Sequence, residues 1–406
     1  MRCGLLGRVL GHSYSPQLHG LLADYSYELF QKEPEEVGDF LRTGNWNGLN
    51  VTIPYKKTAA ALCDALSDTA RRLGSVNTLL RRPDGTIYGV NTDYDGFCYL
   101  VRQSGIPVAG KKALVLGSGG ASVTVCAALS DLGASQVVVI SRSGPDNYQN
   151  LDRHADAELI ANTTPLGMYP NTGAAAVDLR QFPRCTGVFD IVYNPARTAL
   201  LLQAEALGIP CAGGLSMLAA QARRSAEIFT GAQIPDEKLQ AAERTLRARL
   251  ENIVLIGMPG CGKSTVAKTL GGLLGREVVE CDAWIEAQAG CSIPEIFEKD
   301  GEAAFRRLET QALQEHGKRS GLILSTGGGC VTREENYPLL HQNGTIFWLQ
   351  RELVKLPSDG RPLSRLESAA SMFQRRRAQY ERFADCIVSN DGTPAQTAEQ
   401  IRRELQ

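Results

Sequence analysis

Short apolar runs rich in β-branched residues recur at Lys112 to Leu116, Val137 to Ile140, Gly187 to Ile191, Ile253 to Ile256, Gly321 to Ser325 and Thr345 to Leu349, with helix-like stretches between them. Runs that stay apolar on successive positions predict strands covered on both faces. The pattern therefore predicts parallel sheets layered with helices, an α/β class. The segment PDEKLQAAERTLRARLEN sets Leu239, Ala242, Leu246 and Leu250 at three- and four-residue spacing, which predicts a charged helix with one packing stripe. It runs almost directly into the Ile253 strand, so the best domain boundary lies near residue 250, with hardly any flexible linker. No internal repeat or low-complexity tract breaks the pattern.

At 406 residues the chain exceeds one ordinary core, and a prior of ~150 residues per domain predicts two or three domains. With 43 basic and 44 acidic residues the formal charge is -1, so no basic excess calls for nucleic acid or an anionic membrane, and a small-molecule enzyme is expected. Eleven cysteines form no CxxC pair, and their odd number is unlike a secreted disulfide framework; they are expected as free thiols in a reducing compartment. The first residues lack the apolar core of a leader, and no run of ~18 apolar residues is present to span a bilayer, so the expectation is a cytoplasmic protein.

Candidate chemistry begins with GMPGCGKST at 257–265. Gly257, Gly262, Lys263 and Ser264 occupy the fixed places of a phosphate-binding loop between a strand and a helix. Such a loop lets backbone N–H groups converge on phosphate oxygens, adds the positive end of the following helix, and offers a hydroxyl to Mg²⁺. Three later stretches narrow the class. In VVECDAWIE, Glu280 and Asp282 stand two apart at the end of an apolar run, where both can point from a strand tip towards one site. In GEAAFRRLE, Arg306 and Glu309 lie three apart on a helix face, so that the acid can hold the guanidinium. In STGGGCV, consecutive glycines allow the backbone to approach a ligand closely.

With these stretches in this order, followed by GRPL at 360–363 and RRAQYERFAD at 376–385, residues 252–406 resemble a shikimate kinase of the nucleoside monophosphate kinase-like P-loop class. The resemblance implies an α/β domain with a parallel sheet over 251–406. It implies that Gly260, Cys261, Gly262, Lys263, Ser264 and Thr265 bind ATP, with Lys263 catalytic and Arg361 reaching over from a lid. Asp282 would bind substrate hydroxyls and act as the base, and Arg306, Gly328, Gly329 and Arg376 would hold the substrate, chiefly its carboxylate. Mg²⁺ would sit on Ser264 and on Glu280, directly or through water. The chain departs from the family in having Glu280 where Asp is usual, Ala378 where Pro is usual, and a short lid, LVKLPSDGRPLS.

The first half carries a second glycine turn in KKALVLGSGGASVTV, where Gly117, Gly119 and Gly120 follow a strand and open a helix, with Ser122 in the place of the third glycine of a dinucleotide fingerprint. The next strand ends in Ser141, Arg142 and Ser143 rather than in an acid, which suits a 2′-phosphate and favours NADP over NAD. Ahead of it lie GHSYSP, NVTIPYK, GSVNT and NTDYDG, short turns of hydroxyls and amides with one lysine and one aspartate, suited to a polyhydroxylated acid.

As a set, with ANTTPLGM, FDIVYNPARTALL and GGLSMLAAQA further on, these stretches resemble shikimate dehydrogenase over about the first 250 residues. The resemblance implies a substrate domain at 1–98, completed by returning helices at 214–250, and a Rossmann-like NADP domain at 99–213. Lys56 and Asp93 match the catalytic pair, while Ser13, Ser15, Thr52, Asn77, Asp93, Tyr193 and Gln221 match substrate contacts. Gly117, Ser118, Gly119, Gly120, Ala121, Ser141, Arg142, Ser143 and Gly214 match the NADP site. Only 18 residues separate Ser143 from Asn162, so the helix and strand usual there are expected to be shortened or missing.

Both halves point to one small acid. The expected enzyme reduces 3-dehydroshikimate to shikimate with NADPH and then phosphorylates shikimate with ATP and Mg²⁺, with small molecules as its partners and its oligomeric state open. The alternatives are that one half is a non-catalytic nucleotide-binding regulatory module, or that the dehydrogenase also uses quinate.

Overall fold

A computed structural model describes residues 1–11, 13–356 and 368–405. They form two compact units, one of Met1–Leu166, Ala175–Tyr193 and Gln203–Leu246, the other of Gly167–Ala174, Asn194–Leu202 and Arg247–Gln406.

The first unit contains two sheets. Strands β1 (Arg2–Gly7), β2 (Ser26–Gln31), β3 (Gly48–Val51), β4 (Ala65–Leu66), β5 (Thr78–Arg81) and β6 (Ile87–Val90) form a sheet of order β2-β1-β3-β5-β6-β4. This sheet is mixed, with β5 antiparallel to both neighbours. The apolar runs gave no warning of it, because most of its strands span four residues or fewer and edge strand β2 is largely exposed. Strands β7 (Lys112–Leu116), β8 (Gln136–Ile140), β9 (Leu159–Asn162), β10 (Gly187–Asp190) and β11 (Cys211–Ala212) form a wholly parallel sheet of order β11-β10-β9-β7-β8. Strands β9 and β10 are buried at every position, as covering on both faces requires.

Between β8 and β9 no α-helix forms. The chain folds back in a bridge between Ser141 and Asn147 and a short 3-10 turn at Leu151–His154, and His154 Nε2 lies 2.9 Å from Asp146 Oδ1. The helix Leu215–Thr230 packs along the helix Thr92–Ser104. In the following helix, Asp236–Leu250, Leu239, Ala242 and Leu246 are buried and Leu250 is half-buried, so the stripe covers its first three turns best.

The second unit is built on β12 (Asn252–Ile256), β13 (Val278–Glu280), β14 (Ile323–Ser325), β15 (Gly344–Gln350) and β16 (Cys386–Ser389), a parallel sheet of order β13-β14-β12-β15-β16. The central strand β12 is buried throughout. Trp348 on β15 stacks on Tyr380 of the helix Ala369–Phe383, with ring centroids 5.4 Å apart, and both rings are buried. The phosphate loop therefore sits at the carboxyl end of a central strand, where open parallel sheets bind ligands.

Candidate active sites

In the first unit, Lys56 opens the helix Lys56–Ala61 and Asp93 lies in the first turn of Thr92–Ser104. Lys56 Nζ is 2.5 Å from Asp93 Oδ2, with both side chains mostly buried. Asn77 Nδ2 donates to the other oxygen, Asp93 Oδ1, at 2.9 Å and lies 3.5 Å from Gln221 Oε1. Asn77 Oδ1 in turn accepts from the backbone N–H of Thr92 at 2.6 Å. Four of the sequence candidates, Lys56, Asp93, Asn77 and Gln221, thus join in one network.

Thr78, Thr92, Ser225 and Asn50 continue that network behind Asn77, with Asn50 Nδ2 donating to Ser225 Oγ at 2.8 Å and Thr78 Oγ1 2.8 Å from the same oxygen. Sequence reading passed over these groups, because buried hydroxyls far apart in the chain leave no local signal. Ser13 Oγ accepts from Ser15 N at 3.3 Å, and Ser15 is buried. Tyr14, between them, meets Tyr193 edge to face at 5.8 Å. Burial raises the Tyr193 phenol above its usual pKa, which keeps it a neutral donor. Thr52 closes a turn in which its carbonyl accepts from Tyr55 N, one residue before Lys56.

The glycine turn follows β7. Gly117 has φ +105°, Gly119 caps the helix Gly120–Asp131, and Ser122 donates from Oγ to the Gly119 carbonyl at 2.8 Å, so a serine is accommodated where a third glycine was expected. Ser118, Gly119 and Gly120 are exposed and Ala121 is half-buried. At the end of β8, Ser141 is half-buried while Arg142 and Ser143 are exposed, and Ser141 N donates to Asp146 O at 3.2 Å. Gly214 caps the helix Leu215–Thr230, and its N–H donates to Val192 O at 3.0 Å.

In the second unit one cavity of about 520 Å³ is lined by Gly260, Gly262, Lys263, Ser264, Thr265, Asp282, Arg306, Glu309, Gly328, Gly329, Arg351 and Arg376. Gly257, Gly260 and Gly262 all have positive φ, which lets the loop curl without strain. Lys263 Nζ, buried, donates to the carbonyls of Gly257 (2.9 Å) and Met258 (3.1 Å). Cys261 turns its side chain into the core, and its carbonyl accepts from Asn390 Nδ2 at 2.6 Å. Arg361 lies outside the described residues.

Glu280 and Asp282 do not share a strand tip. Glu280 ends β13 and caps the helix Cys281–Ala289, so Asp282 is aimed by the first helical turn rather than by strand alternation. Glu280 reaches the loop through Ser264, whose Oγ donates to Glu280 Oε2 at 2.8 Å. The other oxygen, Oε1, is buried without a hydrogen-bond partner among the described residues, Lys268 Nζ standing 4.0 Å away. A hydroxyl and an unsatisfied carboxylate oxygen thus stand together, as a hard cation needs.

Arg306 Nη1 donates to Glu309 Oε2 at 2.8 Å and Nη2 to Glu302 Oε1 at 3.0 Å. Glu309 is fully buried; burial raises its pKa and the facing Arg306 opposes the rise. The guanidinium passes so close to Gly329 that a Cβ there would lie 2.2 Å from its nitrogens, which explains a glycine at that place. Arg376 Nη1 donates to Gly328 O at 3.1 Å, and Tyr380 Oη, which sequence reading missed, donates to the same carbonyl at 2.5 Å.

The family model described as shikimate dehydrogenase substrate binding domain matches residues 5–79, and the model described as shikimate kinase matches residues 259–406. The chain is 33% identical over 267 residues to the shikimate dehydrogenase (NADP(+)) of Clostridium perfringens (strain SM101 / Type A), covering 61% of this chain and 98% of that protein. Among solved structures it resembles a chorismate mutase/shikimate 5-dehydrogenase fusion protein from Clostridium acetobutylicum, at 33% identity and TM-score 0.57, covering 60% of this chain and 96% of that one. It likewise resembles shikimate 5-dehydrogenase from Thermus thermophilus in complex with NADP(H) and shikimate, at 32% identity and TM-score 0.55, covering 60% and 99%. With its first two sheets matched along nearly the whole of those proteins and a kinase match behind them, the chain belongs to the shikimate dehydrogenase family and carries a shikimate kinase domain fused to its C-terminal side.

Proposed function

We propose that the chain carries out two consecutive reactions: NADPH-dependent reduction of 3-dehydroshikimate to shikimate, then transfer of the γ-phosphoryl group of ATP to shikimate, giving shikimate 3-phosphate. The observation that carries it is the coexistence of the Lys56–Asp93 pair, 2.5 Å apart, with a cavity that gathers the phosphate loop, Asp282, Arg306 and Arg376.

Bound NADPH supplies the hydride for the ketone carbon. Lys56 then gives the carbonyl oxygen its proton as charge develops there, and Asp93 holds the ammonium in place. Asn77 and Gln221 orient the hydroxyls, and Ser13, Ser15, Thr52 and Tyr193 complete the recognition of the acid. Arg142 between two serines would hold the 2′-phosphate of the cofactor, Gly117 to Ala121 would hold its pyrophosphate, and Gly214 would hold its nicotinamide end.

In the kinase domain Asp282 accepts the proton of the attacking hydroxyl. Arg306, fixed by Glu309 and Glu302, and Arg376, held by the Gly328 carbonyl, bind the shikimate carboxylate together with Gly328 and Gly329, and Gly329 leaves room for the Arg306 guanidinium. Lys263 exchanges the loop carbonyls of Gly257 and Met258 for phosphate oxygens, and Arg361 is assigned to the transferring phosphoryl group. Ser264 and Glu280 hold the Mg²⁺ that accompanies ATP. No helix among the described residues is long and apolar enough to cross a membrane, and the reading includes a cytoplasmic location with small molecules as the partners.

Supplying 3-dehydroshikimate, NADPH and Mg-ATP together tests both steps: the expected product is shikimate 3-phosphate. Shikimate accumulating in its place removes the kinase half of the reading, and unchanged NADPH removes the first half.

A further inference from the structure

Arg351 directly follows β15, the neighbour of the strand that carries the phosphate loop. It lines the 520 Å³ cavity beside Lys263 and Ser264, and its Nη1 is 3.9 Å from the place a Cβ on Gly262 would take. Among the described residues it makes no hydrogen bond or ion pair, and its Nε is buried without a partner. The other cations of the cavity each have a protein partner, Arg306 in Glu302 and Glu309, Arg376 in the Gly328 carbonyl and Lys263 in two loop carbonyls, although Arg376 Nε, like that of Arg351, is buried without one.

The nearby acids are engaged as well. Lys355 Nζ lies 3.1 Å from Glu352 and 3.4 Å from Asp391, and Asp391 also accepts from Glu352 N at 2.9 Å and from Ser389 Oγ at 3.2 Å. The Arg351 charge is thus not cancelled by the carboxylates beside it. A half-buried guanidinium with an orphaned N–H is costly in isolation, and the cost disappears when a ligand brings acceptors. Its planar fork matches phosphate oxygens, and the phosphate loop at its side is where those oxygens arrive.

We infer that Arg351 is a nucleotide-binding residue of the kinase domain, contacting the phosphate chain of the nucleoside triphosphate on the Gly262 side of the loop. The inference rests on the kinase reading given above. No motif of the sequence pointed to this arginine; its position at a strand end beside the loop strand is the only signal it leaves.

The test uses the full-length chain with Arg351→Gln and Arg351→Lys. Each is titrated with Mg-ADP by calorimetry and assayed for shikimate phosphorylation, with dehydrogenase activity as the measure of folded protein. Arg351→Gln is expected to weaken Mg-ADP binding and raise the KM for ATP about tenfold, leaving the KM for shikimate within about twofold, and Arg351→Lys to recover part of the loss. Unchanged Mg-ADP affinity and ATP KM in both variants overturns the inference and leaves the kinase reading intact. A rise confined to the shikimate KM overturns it too. If the wild-type chain binds Mg-ADP yet leaves shikimate unphosphorylated, the kinase reading falls, and the Mg-ADP titration of the variants still decides the role of Arg351.

Discussion

Asn77 and Lys56 hold opposite oxygens of one carboxylate: Asn77 Nδ2 donates to Asp93 Oδ1 at 2.9 Å, while Lys56 Nζ meets Oδ2 at 2.5 Å. The same amide accepts the buried N–H of Thr92, so one side chain anchors both the start of the helix and the acid of the proposed catalytic pair. Asn77→Ala should therefore cost ~1–3 kcal/mol of stability from the orphaned N–H and lower dehydrogenase kcat/KM by about a hundredfold through a misplaced Asp93. Thermal melts and steady-state rates read the two effects separately, and a loss of stability with unchanged kcat/KM would refute the positioning role.

Lys56→Ala removes the proposed proton donor while leaving the glycine turn and Arg142 untouched. Hydride transfer should fall by about 10² to 10⁴, NADPH binding by fluorescence titration should persist, and phosphorylation of supplied shikimate should continue at the wild-type rate. Loss of both activities would argue against independent sites.

Gly329→Ala places a methyl group where the Arg306 guanidinium lies, 2.2 Å from its nitrogens. The arginine must then leave Glu309 and Glu302, and the KM for shikimate in the kinase reaction should rise about tenfold or more, with the KM for ATP little changed. A rise in the ATP KM alone would detach Arg306 from the acid site.

Glu280→Gln keeps the hydrogen bond from Ser264 and removes the negative charge beside it. The Mg²⁺ concentration for half-maximal kinase activity should increase several-fold, and saturating Mg²⁺ should restore most of the rate. An identical Mg²⁺ dependence would show that the cation is held elsewhere.

His19 is buried beneath Tyr27 and Phe229, with Nδ1 2.5 Å from Tyr25 Oη, and burial lowers its pKa to about 3. The unfolded chain, with an ordinary pKa near 6.5, binds the extra proton first. The stabilising contribution of the neutral ring is complete above about pH 6.5 and is lost as pH falls towards 3. Between about pH 6 and 4 the wild type should lose up to ~1.4 kcal/mol per pH unit more than His19→Gln. Urea titrations of the full chain, read at the loss of dehydrogenase activity, measure that difference in slope; equal slopes would show that His19 titrates normally.

The pH-sensitive ring, the Asn77 anchor and the Asn50–Ser225–Thr78 group have one thing in common: each depends on residues brought together from distant parts of the chain. Ser225 stands 147 positions from Thr78 and 175 from Asn50. No periodicity reports such a meeting. The segment between Ser143 and Asn162 was legible only in part: its shortness announced a shortened or missing helix and strand, and the helix is indeed absent, but the strand forms as β9, and the Asp146–His154 tether came only with the fold.

By itself the sequence marked β7, β8, β10, β12, β14 and β15 of the parallel sheets as apolar runs, leaving β9, β11 and β16 unmarked, and it determined the phosphate loop, because glycine and lysine spacing is a local geometric demand. It also proposed the chemical groups of both sites. Tertiary structure alone decided how those groups are held: that Asp282 is aimed by a helix turn, that Gly329 makes room for Arg306, that Asp93 is shared by Asn77 and Lys56, and that Arg351 lies beside the loop with its Nε unpartnered among the described residues. The physical reason is that a motif records the constraints a short stretch of backbone must meet, whereas burial, partnership and charge balance depend on which surfaces the packed helices and strands bring within a few ångströms of each other.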